Sequence, residues 1–127
     1  MRLLIVTSLF VPLLLVSACN NRPQTVAGNW ACTTTHPGGF SSKDNFHFGE
    51  KGELSLDSDG VVMHGSYTVD GKALSMKLTD VPVPVADGAA LYQLQILNAS
   101  IQKLTDKEMA LDVSSGNNRH LSQCRRL

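Results

Sequence analysis

No stretch of about 20 consecutive apolar residues occurs in the chain, which excludes an ordinary transmembrane helix. There is no run of five like charges, no internal repeat and no low-complexity tract, so neither a charged tail nor a solenoid is expected. Basic residues do not exceed acidic ones, 11 Lys plus Arg against 11 Asp plus Glu, and no positive field is available to attract nucleic acid. A G-x-S-x-G elbow is missing, as is any glycine-rich phosphate cradle with a helix behind it. No enzyme class and no cofactor is indicated. Helical periodicity is also nearly absent, which leaves short extended segments as the building material.

What is present begins with Met1-Arg2 and an apolar stretch from Leu3 to Val16, broken only by Thr7, Ser8 and Pro12. That length and those flanks predict a secretory signal over 1–18. The stretch Leu15-Val16-Ser17-Ala18-Cys19 resembles the bacterial lipobox, with Val16 where that pattern prefers Leu. The resemblance implies acylation of Cys19 and a membrane anchor, the alternative being an ordinary signal with an incidental cysteine. Asn20 stands where an Asp would resemble the inner-membrane retention signal. The expected address is therefore the outer membrane, on its periplasmic face or at the cell surface. Removing 1–18 takes away Arg2 and leaves a net charge of minus one.

Residues 19–27 read as a lipid-anchored tether and 28–127 as one domain, since about 100 residues suffice for one modest core. With Cys19 committed to lipid, Cys32 and Cys124 remain, an even pair in an oxidising compartment. One disulfide is the reading, with two buried free thiols as the alternative.

From Trp30 onward, short alternating segments are separated by Gly, Asp, Asn and Pro, the pattern of an antiparallel sheet. Strands are expected at 29–35, 43–48, 52–57, 61–69, 73–79, 91–103, 109–113 and 120–125. Period-two alternation puts Phe46, Phe48, Leu54, Leu56, Val61, Met63, Tyr67, Val69, Leu74, Met76, Leu78, Met109, Leu111 and Val113 in the core. Asp70-Gly71 predicts a tight type I′ hairpin turn. Val81-Pro82-Val83-Pro84-Val85 is expected to be an extended connection or edge, because proline removes ladder donors, with Asp87-Gly88 turning out of it. In 91–103 the apolar phase changes from Tyr92, Leu94 and Ile96 to Leu97, Ala99 and Ile101, which predicts a bulge near Asn98. Eight such strands suggest a closed meander barrel, with a β-sandwich as the alternative. Closure pairs the first strand with the last and brings Cys32 beside Cys124.

Gly28-Asn29-Trp30 resembles the G-x-W element of lipocalins and of the shorter bacterial lipocalin-like lipoproteins. Gly65 to Leu74 and the Leu121 to Arg126 ending are similar to segments of the same small lipoproteins. The resemblance implies a barrel whose closed end is plugged by Trp30, with Arg125 or Arg126 packed across the indole. The chain is shorter than a typical lipocalin and lacks its C-terminal helix.

Four histidines, His36, His47, His64 and His120, lie on separate segments without a two-His spacing, so solvated side chains are expected and no metal. Asp57 and Asp59 sit at a turn, where Asp serves turn chemistry better than acid–base catalysis. Met63, Met76 and Met109 with Phe46, Phe48, Tyr67 and Tyr92 either line a lipophilic cavity or simply fill the barrel. Loops at the barrel mouth, around His36-Pro37 and Pro82-Pro84, are the candidate partner contacts. The expectation is a non-catalytic envelope module binding a small lipophilic ligand or serving a structural role. The alternative is a protein-binding inhibitor, immunity protein or accessory of an envelope machine. An unrecognised hydrolase lacks a nucleophile with a base.

Overall fold

A computed structural model describes residues 25–85 and 91–127. Segment 1–18, Cys19 and the Asp87-Gly88 turn lie outside the described residues. The strands are β1 (Gly28–Thr35), β2 (Ser41–Phe48), β3 (Glu53–Ser58), β4 (Val61–Asp70), β5 (Ala73–Val83), β6 (Leu91–Leu104), β7 (Glu108–Ser115) and β8 (Asn118–Arg126). Each pairs antiparallel with the next, and β8 pairs back onto β1. The sheet is therefore a closed up-and-down barrel and not a sandwich, and closure leaves no first or last edge.

Period-two alternation works because one face of every strand is shut inside. Phe46, Phe48, Leu54, Leu56, Met63, Leu74, Met76, Leu78, Met109, Leu111 and Val113 are buried as expected, and Trp30 is fully so. Val61 and Val69 are exposed, because they stand near the two ends of β4 where the barrel wall runs out. Val26 is only 3% exposed and accepts a hydrogen bond from Trp30 Nε1 at 2.8 Å, so the folded body includes part of the expected tether.

Cys32 and Cys124 are register partners across the β1–β8 seam and are joined by a disulfide, with their Cα atoms 4.0 Å apart. The seam joins residues at opposite ends of the chain, where loop-closure entropy is largest, and the covalent bond sits there.

Two local expectations are corrected, the turn of the β4–β5 hairpin and the bulge at Asn98. The β4–β5 hairpin turns on Gly71-Lys72, since Asp70 is already paired with Ala73, and only Gly71 has positive φ, which fits type II′ and not type I′. The turn with positive φ at both central residues is Asp59-Gly60. The expected edge is present, and β5 runs on through it to Val83, with Pro82 opposite Tyr92. Proline is tolerated because β4 pairing ends at Gly65–Leu78, so this part of β5 has a ladder partner on β6 alone. The ladder irregularity there, between Leu78 and Val81, is capped by Asp80, whose carboxylate accepts the His64 N–H at 2.6 Å. That bond, with the His64 ring, holds the Asp80 carboxyl below the usual carboxylate range.

No bulge occurs at Asn98, which pairs regularly with Ser75 and with Ser114. Leu97, Ala99 and Ile101 continue one inward phase, and the irregularity lies between Ile101 and Lys103. Tyr92, Leu94 and Ile96 point outward and are exposed, so Tyr92 is not an interior residue.

Candidate functional site

The barrel interior has two chemically different halves. At the end where the chain enters, Trp30 closes the bottom, and Arg126 lays its guanidinium 4.1 Å from the ring centroid. The same side chain donates to the carbonyls of Asp106 at 2.7 Å, Ala27 at 2.5 Å and Thr25 at 3.1 Å. Arg126 thus ties the indole, the entering chain and the β6–β7 turn together. Gly28 is required beneath it, because its φ is +131° and a Cβ there would collide with the guanidinium. Arg125 takes no part and is exposed on the outside of β8. Phe48 stacks on Phe46 at 5.4 Å and meets Tyr67 edge-on at 4.9 Å, completing a dry floor.

The half under the mouth is polar on one side. Extending the inward phases of β1, β2 and β8 beyond their apolar residues reaches Thr34, Ser42, Asp44 and Ser122, all buried. Thr34 Oγ1 donates to Asp44 Oδ2 at 2.6 Å, and Ser58 donates to Oδ1 at 2.6 Å. Thr34 has one proton, committed to the carboxylate, so Ser122 Oγ at 2.8 Å is the donor in their contact. Ser42 Oγ approaches both carboxylate oxygens at 3.4 and 3.5 Å.

His36 is not a free loop residue. Its ring turns inward, with Nε2 at 2.7 Å from Ser42 Oγ, stacks on Phe40 at 4.5 Å and meets His120 edge-on at 4.6 Å. Of the other expected partner-loop residues, Pro37 and Pro84 are exposed and Pro82 is exposed within β5. Sequence reasoning missed the Asp44 cluster because it assigned faces from apolar residues alone. The signal was nonetheless there, in the unbroken alternation Ser42, Asp44, Phe46, Phe48.

These groups line a cavity of about 200 Å³. Asp44, Ser58, His120 and Gln95 line one part, and Phe46, Leu56, Met63, Leu78, Leu97 and Val113 the other. A larger hollow, of about 540 Å³, is bounded by Thr25, Tyr67, Val69 and Leu104 at the entry end. Among the described residues His120 Nδ1 is buried and has no hydrogen-bond partner. Such an atom costs about 1–3 kcal/mol unless something satisfies it.

Burial first, and His36 second, hold His120 below its ordinary 6.5, with Asp44 opposing them. The unfolded chain therefore takes up this proton before the folded one does. Stability from His120 is complete above about pH 6.5 and is lost as pH falls through the depressed folded value. Urea midpoints of the native chain should fall from about pH 7.5 to about pH 5.5 more steeply than those of His120→Gln. Parallel falls in both would remove His120 as the cause.

The Ser42–His36 contact does not make a nucleophile in the usual sense. A triad places the carboxylate on the far nitrogen of the imidazole, whereas Asp44 binds the serine instead. His47 Nδ1 contacts Asn29 at 2.5 Å and His64 contacts Asp80 at 2.9 Å, both on the outer surface. Among the described residues no three His, Cys, Asp or Glu side chains converge as a metal ion would need.

The fold is a lipocalin-like eight-stranded barrel. A solved structure, that of a lipocalin-like protein from Bacteroides uniformis, superposes on it with a TM-score of 0.55 at 20% identity. The match covers 80% of this chain and 97% of that one. No family model matches the sequence, and no curated protein does.

Proposed function

We propose that the chain is an outer-membrane lipoprotein, acylated on Cys19, whose barrel binds a small molecule under its mouth and catalyses no reaction. The observation that carries this reading is the cavity inside the barrel, in which an apolar wall faces a few converging polar groups, one of them without a partner among the described residues. A barrel of eight strands is wide enough to be filled by its own side chains, and here the lower half is filled while the upper half is not.

The anchor gives the site a direction. Thr25 to Ala27 enter beside Arg126 at the plugged end, and the six residues from Cys19 to Thr25 reach at most about 20 Å. The plug therefore faces the membrane and the mouth faces away from it, toward ligands in the aqueous phase. Cys19→Ser should move the protein from the membrane to the soluble fraction.

Methyl NMR tests the cavity. Titration with short-chain alcohols, amines and acids should shift the signals of Leu56, Met63 and Leu78, and Leu97→Trp, which fills the space, should weaken binding at least about tenfold while the barrel stays folded. A Leu97→Trp variant that binds as well as the parent would place the ligand elsewhere.

A second reading, partner binding, is favoured by the outer face of β6. From Leu91 to Gln102 the chain carries no charge, and pairing with β7 begins only at Asn98. Leu91 to Leu97 thus presents a strand edge beneath exposed Tyr92, Leu94 and Ile96, the kind of surface to which a partner adds a strand. Ile96→Lys separates the readings, since it leaves small-ligand binding intact and abolishes co-purification of an envelope partner.

A further inference from the structure

We infer that the ligand is a small ammonium ion with a short apolar tail, its charge held by Asp44. This deepens the reading of the cavity as a binding site and rests on it. Asp44 is 7% exposed and lies on the inner surface of the barrel. Its hydrogen-bond donors are the hydroxyls of Thr34, Ser58 and, more weakly, Ser42. All three are neutral. A carboxylate has about four acceptor sites, and these donors leave capacity on the side open to the cavity.

Among the described residues no Lys or Arg lines the space, so the only basic side chains beside the buried carboxylate are two histidines. One of these, His36, is engaged with Ser42, and the other, His120, keeps a bare Nδ1 in the same wall. A buried carboxylate is expensive unless a cation pairs with it. An ammonium group supplies that cation, and its three protons fit a site built from acceptors: a carboxylate oxygen, the Ser58 hydroxyl oxygen and an imidazole nitrogen.

The remaining wall selects the tail. Phe46, Leu56, Met63, Leu78, Leu97 and Val113 offer no polar partner to a second charged or hydroxylated end. The volume, about 200 Å³, lies below the roughly 300–1,000 Å³ of sites for drug-sized ligands, which points to a tail on the order of four to six carbons. An anionic head, as on a fatty acid, would meet Asp44 directly and be repelled.

Three probes of one shape decide it: n-hexylammonium, n-hexanol and n-hexanoate, titrated calorimetrically and by methyl NMR into the purified chain near neutral pH. Hexylammonium should bind at least about tenfold more tightly than hexanol, and hexanoate should bind least, since a charge-assisted hydrogen bond in a buried site adds a factor of this order. Asp44→Asn, which keeps the shape and the hydroxyl contacts, should erase that preference and leave hexanol binding in place. Hexanol or hexanoate binding as tightly as hexylammonium, or an Asp44→Asn variant that keeps the preference, would overturn the ammonium assignment while the cavity reading stands. If none of the three shifts Leu56, Met63 or Leu78, the cavity reading falls and the assignment with it.

Discussion

Replacing Cys32 and Cys124 together with alanine is expected to cost about 2–5 kcal/mol of stability, lowering Tm by at least about 10 °C. The two residues are 92 apart in sequence and directly opposed in the β1–β8 ladder. Without the bond, the unfolded chain regains nearly all the freedom of a loop that spans most of the domain. The folded barrel must then close its last seam against that entropy with hydrogen bonds and side-chain burial alone. Thermal melts of the double variant, alongside the parent with and without reductant, measure the effect. A Tm within about 2 °C of the parent would mean that packing alone holds the seam, and that the disulfide adds nothing to it.

Trp30→Ala should be about as damaging, at about 3–5 kcal/mol, because a fully buried indole leaves a cavity at the floor and strands the Val26 carbonyl. Arg126→Ala should cost less, on the order of 1–2 kcal/mol, losing the ring contact and three carbonyl partners that are partly solvated. The informative quantity is their coupling. If the guanidinium is held by the indole, Arg126→Ala should cost about 1 kcal/mol less once Trp30 is gone. Arg126→Lys should not restore the parent, since a single ammonium cannot face the ring and reach three carbonyls at once. Additive costs in denaturant titrations would mean that the two residues stabilise the floor independently.

Much of the barrel was legible because its signals are local. Alternation such as Leu54, Leu56 and Leu74, Met76, Leu78 needs only the pleat of a single strand to be interpreted. Asp59-Gly60 and Gly71 mark turns through their own backbone preferences. The places where the reading failed are those where a neighbouring strand decides. In β6 both phases are apolar, so its own sequence offers no choice between Ile96 and Leu97. Register makes the choice: Leu97 lies opposite buried Met76, and Ile96 lies opposite Lys77 on the outer face. Similarly, Pro82 is admissible only because β4 has stopped pairing by that point, a fact about a different strand.

The candidate site was the least legible part, for a related reason. Hydrophobicity identifies an inner face only where that face is apolar, and the mouth half of this barrel turns Thr34, Ser42, Asp44 and Ser122 inward. Each is unremarked alone in its strand. They become a site because β8, β1, β2 and β3 lie side by side, which brings Ser122, Thr34, Asp44 and Ser58 within hydrogen-bond reach across 88 residues of sequence.

By itself, then, the sequence determined the strand count, offered Cys32 and Cys124 as an even pair, and carried a short motif whose resemblance to lipocalins implied that Trp30 closes the barrel, because alternation, cysteine number and a motif are properties of the chain read in order. Tertiary structure alone decided which arginine covers Trp30, which face of β6 is wet and that a buried carboxylate waits under the mouth. Those depend on shear and register, which set the neighbours of each residue across strands and are written in no single segment.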